Sequence, residues 1–112
     1  MTDRDRQSLL DIIHCADLVR QYLDGKTFSD LEDSTILQDA IVRRLEIVSE
    51  ASRRLSDEAR CEMNRINWSQ VIGMRNIMIH QYEQIDLETV WDTATQTLPR
   101  LIEQITPYLD LT

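Results

Sequence analysis

Apolar positions recur at three- and four-residue intervals along nearly all of the 112 residues, the periodicity of helices that bury one face. Leu9, Ile13, Ala16, Val19 and Leu23 predict a first helix from Arg4 to Asp24, with Gly25 as its natural stop. Lys26 to Asp33 is a polar connection with room for one short turn around Phe28 and Leu31. Ser34, whose hydroxyl can accept a free backbone N–H, predicts the cap of a second helix running to about Leu55 on the stripe Leu37, Ile41, Leu45, Val48, Leu55. Ser56, followed by Asp57 and Glu58, opens a short helix that ends between Asn64 and Asn67. Asn67 then caps a third long helix through Trp68, Val71, Ile72, Ile79 and Tyr82. Asp86 caps a last one through Val90, Ala94, Leu98, Leu101, Ile105 and Leu109, and Pro99 should kink or divide it. The expected fold class is all-α: an antiparallel bundle of four long helices plus a short one, in a single domain over residues 1–112.

Composition narrows the function classes. Two glycines supply neither the tight hairpins of a β-sandwich nor a phosphate-cradling loop, so both folds are excluded. No apolar run approaches the length of a membrane span, and the polar start is no signal peptide, which predicts a cytoplasmic protein without membrane contact. Cys15 and Cys61 form no C-x-x-C pair and read as two reduced thiols. No His, Cys, Asp and Glu spacing resembles a metal site, and no cofactor is expected.

The formal charge of -8 opposes a protein that coats duplex nucleic acid, but its distribution matters more than its sum. Residues 1–42 carry 4 basic and 9 acidic groups, residues 43–75 carry 7 and 5, and residues 76–112 carry 1 and 6. The middle third is the one basic zone, and all its cations are arginines, which can grip a phosphate bidentately. The same arrangement also suits a solvated helical surface laced with pairs such as Arg43 with Glu46, or Glu46 with Arg53.

The densest polar cluster runs from Arg75 to Tyr82. At about 100° per residue Arg75 and Tyr82 share a face, Asn76 and His80 share another, and Arg75 and His80 stand about 140° apart. One regular helix cannot easily aim both at a small target, so either the helix loosens near His80 or a second copy of the chain completes the site across a symmetry axis. Chemically, Arg75 can hold a phosphate and stabilise developing charge. His80 titrates near neutrality and can take or give a proton. A base for a 2′-hydroxyl, an acid for a leaving 5′-oxygen and a cation at the phosphate suffice to cleave RNA without a metal. The same residues also suit a hydrogen-bonded end of a core helix.

Arg75-x-x-x-x-His80-x-Tyr82 resembles the R-x4-H-x-Y motif of HEPN domains, specifically the HepT toxins of HepT–MntA (type VII) toxin–antitoxin pairs. The run from Ala40 to Ala51, Ile66-Asn67-Trp68, Gly73-Met74 and the stretch from Asp86 to Trp91 are similar to that family too, so the resemblance extends from Asp5 to Leu109. It implies an all-α HEPN bundle that forms a homodimer with two R-x4-H motifs in a shared cleft, acting as a metal-independent endoribonuclease on RNA. It also implies a partner, a minimal nucleotidyltransferase antitoxin similar to MntA, which transfers AMP from ATP to the motif tyrosine. By matching position Arg75 and His80 become the catalytic pair, Tyr82 the adenylylated hydroxyl, and Asn76 a support that orients phosphate or His80. Ser49 stands where relatives often have Gly, a departure that leaves the motif intact.

Other residues carry less. Arg44 falls on the apolar stripe of the second helix, where its stem can cover core residues or its head can support the cleft near Arg75. His14 reads as structural, Glu50 as a partner for Arg53 or Arg54, and Met74 and Met78 as packing residues. A non-catalytic HEPN module that assists a nucleotidyltransferase is the competing reading, and overall acidity suits it. The intact R-x4-H suits the ribonuclease, because a binding module has no need of a titrating His.

Overall fold

The computed structural model describes residues 1–77 and 85–110, and the chain is all-α. In order come α1 (Asp3–Leu23), α2 (Phe28–Asp33), α3 (Thr35–Arg53), α4 (Asp57–Glu62), α5 (Trp68–Ile77), α6 (Leu87–Asp92) and α7 (Leu98–Asp110), with a π-helical turn, Thr93–Thr97, joining the last two. The turn expected between Lys26 and Asp33 is thus a full short helix, α2.

Local chemistry explains the boundaries. Side chains of Ser34, Ser56, Asn67 and Asp86 accept the N–H groups of Leu37, Ala59, Gln70 and Thr89 at 3.1–3.2 Å, each satisfying a donor that a helix start leaves free. Capping boxes open α1 (Thr2 with Asp5) and α2 (Thr27 with Asp30). Gly25 follows α1 at φ 71°, the left-handed conformation that closes a helix and that a side chain would strain.

Pro99 lies in the first turn of α7, directly after the π turn that separates α6 from α7. Its ring offers no N–H and would collide with the carbonyl of Thr95 in a regular α-helix. The π turn widens the backbone just there: the Leu98 N–H reaches back to the Thr93 carbonyl, and the Thr95 hydroxyl donates to the Trp91 carbonyl at 2.7 Å. Helical backbone thus continues from Leu87 to Asp110, with the π turn between its two α segments.

α3 is the central element, with α1 on one side and α5 on another, while α7 packs on α1. α1 and α3 run antiparallel. Asp5 meets Ser56, Asp11 meets Arg54, and Cys15 and Tyr22 meet Arg44, so partners descend along α3 as α1 ascends. Leu9 and Ile12 of α1, Ile41, Leu45 and Val48 of α3, and Ile105 of α7 are fully buried in one core. On α1 the buried line follows Leu9, Ile12, Cys15 and Val19, with Ile13 and Ala16 on its flank. Removing one such side chain, as in Leu45→Ala, costs about 2–5 kcal/mol. No described helix is long and apolar enough to cross a membrane.

Candidate functional site

α5 is seated by one edge. Trp68, Val71 and Met74 are buried, and the Trp68 indole N–H donates to the Met63 carbonyl at 3.2 Å. From α3 the Ser49 hydroxyl donates to the Ile72 carbonyl, the carbonyl one helical turn ahead of Asn76. With that edge fixed, Arg75 and Asn76 project outward and are both exposed. Arg75 forms no ion pair among the described residues, so its guanidinium is free to take an anion. His80 and Tyr82, with Met78, lie outside the described residues.

Arg44 sits elsewhere. It is half-buried, with the Tyr22 hydroxyl and the Cys15 thiol of α1 beside its guanidinium. Those two neighbours favour the charged form and hold the Arg44 pKa above its ordinary value, Tyr22 most. Burial pushes the Cys15 thiol up, against the pull of Arg44. Ser49, which reaches α5, stands about 140° around α3 from Arg44. The structure therefore groups Arg75 with Asn76, and places Arg44 in the α1–α3 seam instead.

The remaining charges divide in the same way. Arg43 pairs with Glu46 at 3.8 Å as the spacing suggested, while Arg54 pairs with Asp11 of α1 at 3.2 Å rather than with Glu50. The pairs are largely exposed and contribute about 0–1 kcal/mol each. Arg65 and Arg100 are exposed and, like Arg75, hold no ion pair among the described residues. No cluster of metal-ligating side chains occurs among the described residues. Cys15 is buried and Cys61 exposed, both as free thiols.

Sequence reasoning missed Asp5. Its carboxylate is 2% exposed and accepts the Ser56 N–H and hydroxyl, each at 2.8 Å, and the Thr2 N–H at 3.1 Å. Burial alone would raise its pKa, but these bonds outweigh burial and lower it to about 2. Asp5 thus ties the start of α1 to the start of α4. Half of that role was legible, since Thr2-x-x-Asp5 has the form of a capping box.

The comparisons with known proteins agree with one another. A family profile described as ribonuclease HepT-like matches residues 12–107. A Methanocaldococcus jannaschii protein, whose name joins a gamma-glutamylcyclotransferase to a provisional RNase, is 37% identical over 94 residues, which are 84% of this chain and 42% of that relative. The chain thus spans less than half the length of that relative. A second protein of the same organism, provisionally named an RNase, is 28% identical over 106 residues, 94% of this chain and 97% of the relative. A Thermococcus cleftensis protein, named with similar reserve as ribonuclease HepT, is 29% identical over 93 residues, 83% of this chain and 84% of the relative. No solved structure matches the chain to the same standard.

Proposed function

This chain belongs to the HepT-like ribonuclease family, and from that premise we propose that it is a cytoplasmic toxin of the HepT–MntA type. It works as a homodimer that cuts RNA internally without a metal and is silenced by adenylylation of Tyr82. The observation that carries this reading is the exposed Arg75 beside Asn76, without an ion pair among the described residues, at the head of an intact R-x4-H-x-Y motif.

In the proposed reaction His80 takes the 2′-hydroxyl proton, and the 2′-oxygen attacks the adjacent phosphorus. The bond from phosphorus to the 5′-oxygen breaks, leaving a 2′,3′-cyclic phosphate on one fragment and a 5′-hydroxyl on the other, with a proton returned to that oxygen. The His80 of a second copy is suited to return it. Arg75 stabilises the charge that builds on the phosphoryl oxygens, and Asn76 orients phosphate or His80. Arg44 supports the site indirectly, by fixing the seam on which α3 and then α5 are seated.

Neutralisation follows from the same chemistry. A minimal nucleotidyltransferase brings ATP, the Tyr82 oxygen attacks its α-phosphorus, and pyrophosphate leaves. The AMP sets a bulky anion beside Arg75, where the RNA backbone belongs.

The test is expression of the wild type and of His80→Ala with total RNA followed over time. RNA loss with the wild type alone supports the reading, and equal toxicity with intact RNA in both overturns it. Tyr82→Phe should stay toxic beside the nucleotidyltransferase. Its normal neutralisation would move the antitoxin's action from modification to binding.

A further inference from the structure

Two hollows meet at the corner where α4 turns into α5. One, of about 640 Å³, is lined by α4 and the connection, with Arg60, Arg65 and Asn64 among its walls. The other, of about 180 Å³, lies between the start of α5 and a face formed by Gln96 of the π turn with Arg100 and Gln104 of α7. They share Ile66 and Asn67, so they form one continuous surface.

Its chemistry is unlike that of the third hollow, of about 460 Å³, whose walls are largely apolar, among them Leu23, Leu98 and Ile102. Asp57 is the one carboxylate among the described residues lining either corner hollow, and it is already paired with Arg60 at 3.8 Å. Arg60 is held in place through the Leu55 carbonyl at 2.9 Å, with its Nε buried and without a partner. Arg65 and Arg100 have no such commitment among the described residues. The amides of Asn64, Gln70, Gln96 and Gln104 offer a donor and an acceptor each, and Asn67, whose oxygen caps α5, offers its amide donor. Uncommitted arginines suit phosphates, and amides suit the edges of unstacked bases.

The surface is also continuous with the catalytic motif. Ser69, in its wall, and Asn76 stand seven residues apart on α5, so they share one face about 10 Å apart along the axis. Ser69 and Asn76 are both exposed, with the half-buried Ile72 and Gly73 between them, so the corner lies about two turns of α5 from the motif's start.

We propose that the α4–α5 corner, with the facing side of α7, is a binding site for the single-stranded RNA that flanks the scissile phosphate. Arg65 and Arg100 hold backbone phosphates, and the amides read bases. The proposal rests on the ribonuclease reading and adds to it where the substrate lies beyond the cut. It also gives Arg100, the sole basic residue of the acidic C-terminal third, a partner in space that its place in the chain conceals.

The test measures the affinity of the full-length protein for a ten-nucleotide RNA whose 2′-oxygens are all methylated, so that it cannot be cleaved. Arg65→Ala with Arg100→Ala should weaken binding at least tenfold at low salt. The slope of log affinity against log salt should fall by about 0.7 for each arginine removed. Arg65→Gln with Arg100→Gln, which keeps polarity and bulk, should do the same. Cleavage of a dinucleoside monophosphate, too short to reach the corner, should stay within twofold of the wild type. Gln70→Ala with Gln104→Ala should leave the salt slope unchanged and flatten preferences among homopolymers. Arg4→Ala with Arg20→Ala, the same charge change on α1, is the control. Wild-type affinity and slope in the first two variants, or losses no larger than the control's, would overturn the proposal. Unchanged RNA affinity with an altered oligomeric mass would also overturn it and assign the corner to protein contacts. Binding is read on uncleavable RNA, so these numbers decide the proposal even if the wild type cuts nothing, the separate result that would sink the ribonuclease reading.

Discussion

Arg44 and Arg75 lie on neighbouring helices in the same basic third of the chain, yet their surroundings are opposite. Arg44 is half-buried in the α1–α3 seam, beside Tyr22 and Cys15. Arg75 is exposed at the end of α5 and has no ion pair among the described residues. A cation half-buried between two helices is part of the scaffold, because an arriving phosphate would have to displace the side chains around it. An exposed cation such as Arg75, seated through the buried edge of α5 and without an ion pair among the described residues, is open to a substrate. Position along the chain does not separate the two; their surroundings do.

The contrast breaks most visibly at Arg75. Arg75→Ala should slow RNA cleavage about 10²–10³-fold, the scale of losing one positioned donor to developing charge. Its unfolding free energy should stay within about 0.5 kcal/mol of the wild type, since an exposed, unpaired side chain is removed. A urea titration beside a cleavage assay measures both.

Asp5 should give the next largest effect, on stability alone. Asp5→Ala leaves the N–H and hydroxyl of Ser56 without their acceptor and should cost about 2–3 kcal/mol in the same titration. The pH dependence has a definite sign. The folded pKa, about 2, lies below the ordinary 3.8, so the stabilisation is complete above about 3.8 and is lost as pH falls toward 2. The loss over that window should be about 2 kcal/mol, and Asp5→Asn should lack that part of the acid sensitivity.

Arg44→Ala comes third. It removes the partner of Tyr22 and Cys15 and should lower stability by about 1–2 kcal/mol, while cleavage per folded molecule stays within about threefold. At the bottom of the scale, Arg43→Ala and Arg54→Ala each break an exposed pair and should change stability by no more than about 0.5 kcal/mol, less still at high salt.

Local rules made much of this fold legible in advance. The caps at Ser34, Ser56, Asn67 and Asp86 and the stop at Gly25 follow from what single side chains do to free backbone groups, and all are present. What depends on three dimensions was not legible. The helical wheel puts Arg44 on the buried stripe of α3 without saying whether α1 or α5 lies opposite. Charge summed along the chain assigns Arg100 to an acidic region, although it faces the same corner as Arg65. The pattern predicts a kink or division at Pro99 without revealing that it takes the form of a π turn just ahead of the ring. The motif itself was read from residue identity, with Arg75 and Asn76 placed at the end of α5 and His80 and Tyr82 outside the described residues.

The most direct test compares Arg75→Ala and Arg44→Ala in one experiment: single-turnover cleavage of a defined RNA, normalised to the folded fraction measured on the same samples. Arg75→Ala, fully folded, should lose at least a hundredfold in rate, while Arg44→Ala, less stable, should cleave at close to the wild-type rate per folded molecule. Wild-type cleavage by folded Arg75→Ala, or equal losses in both variants, would contradict this division of roles.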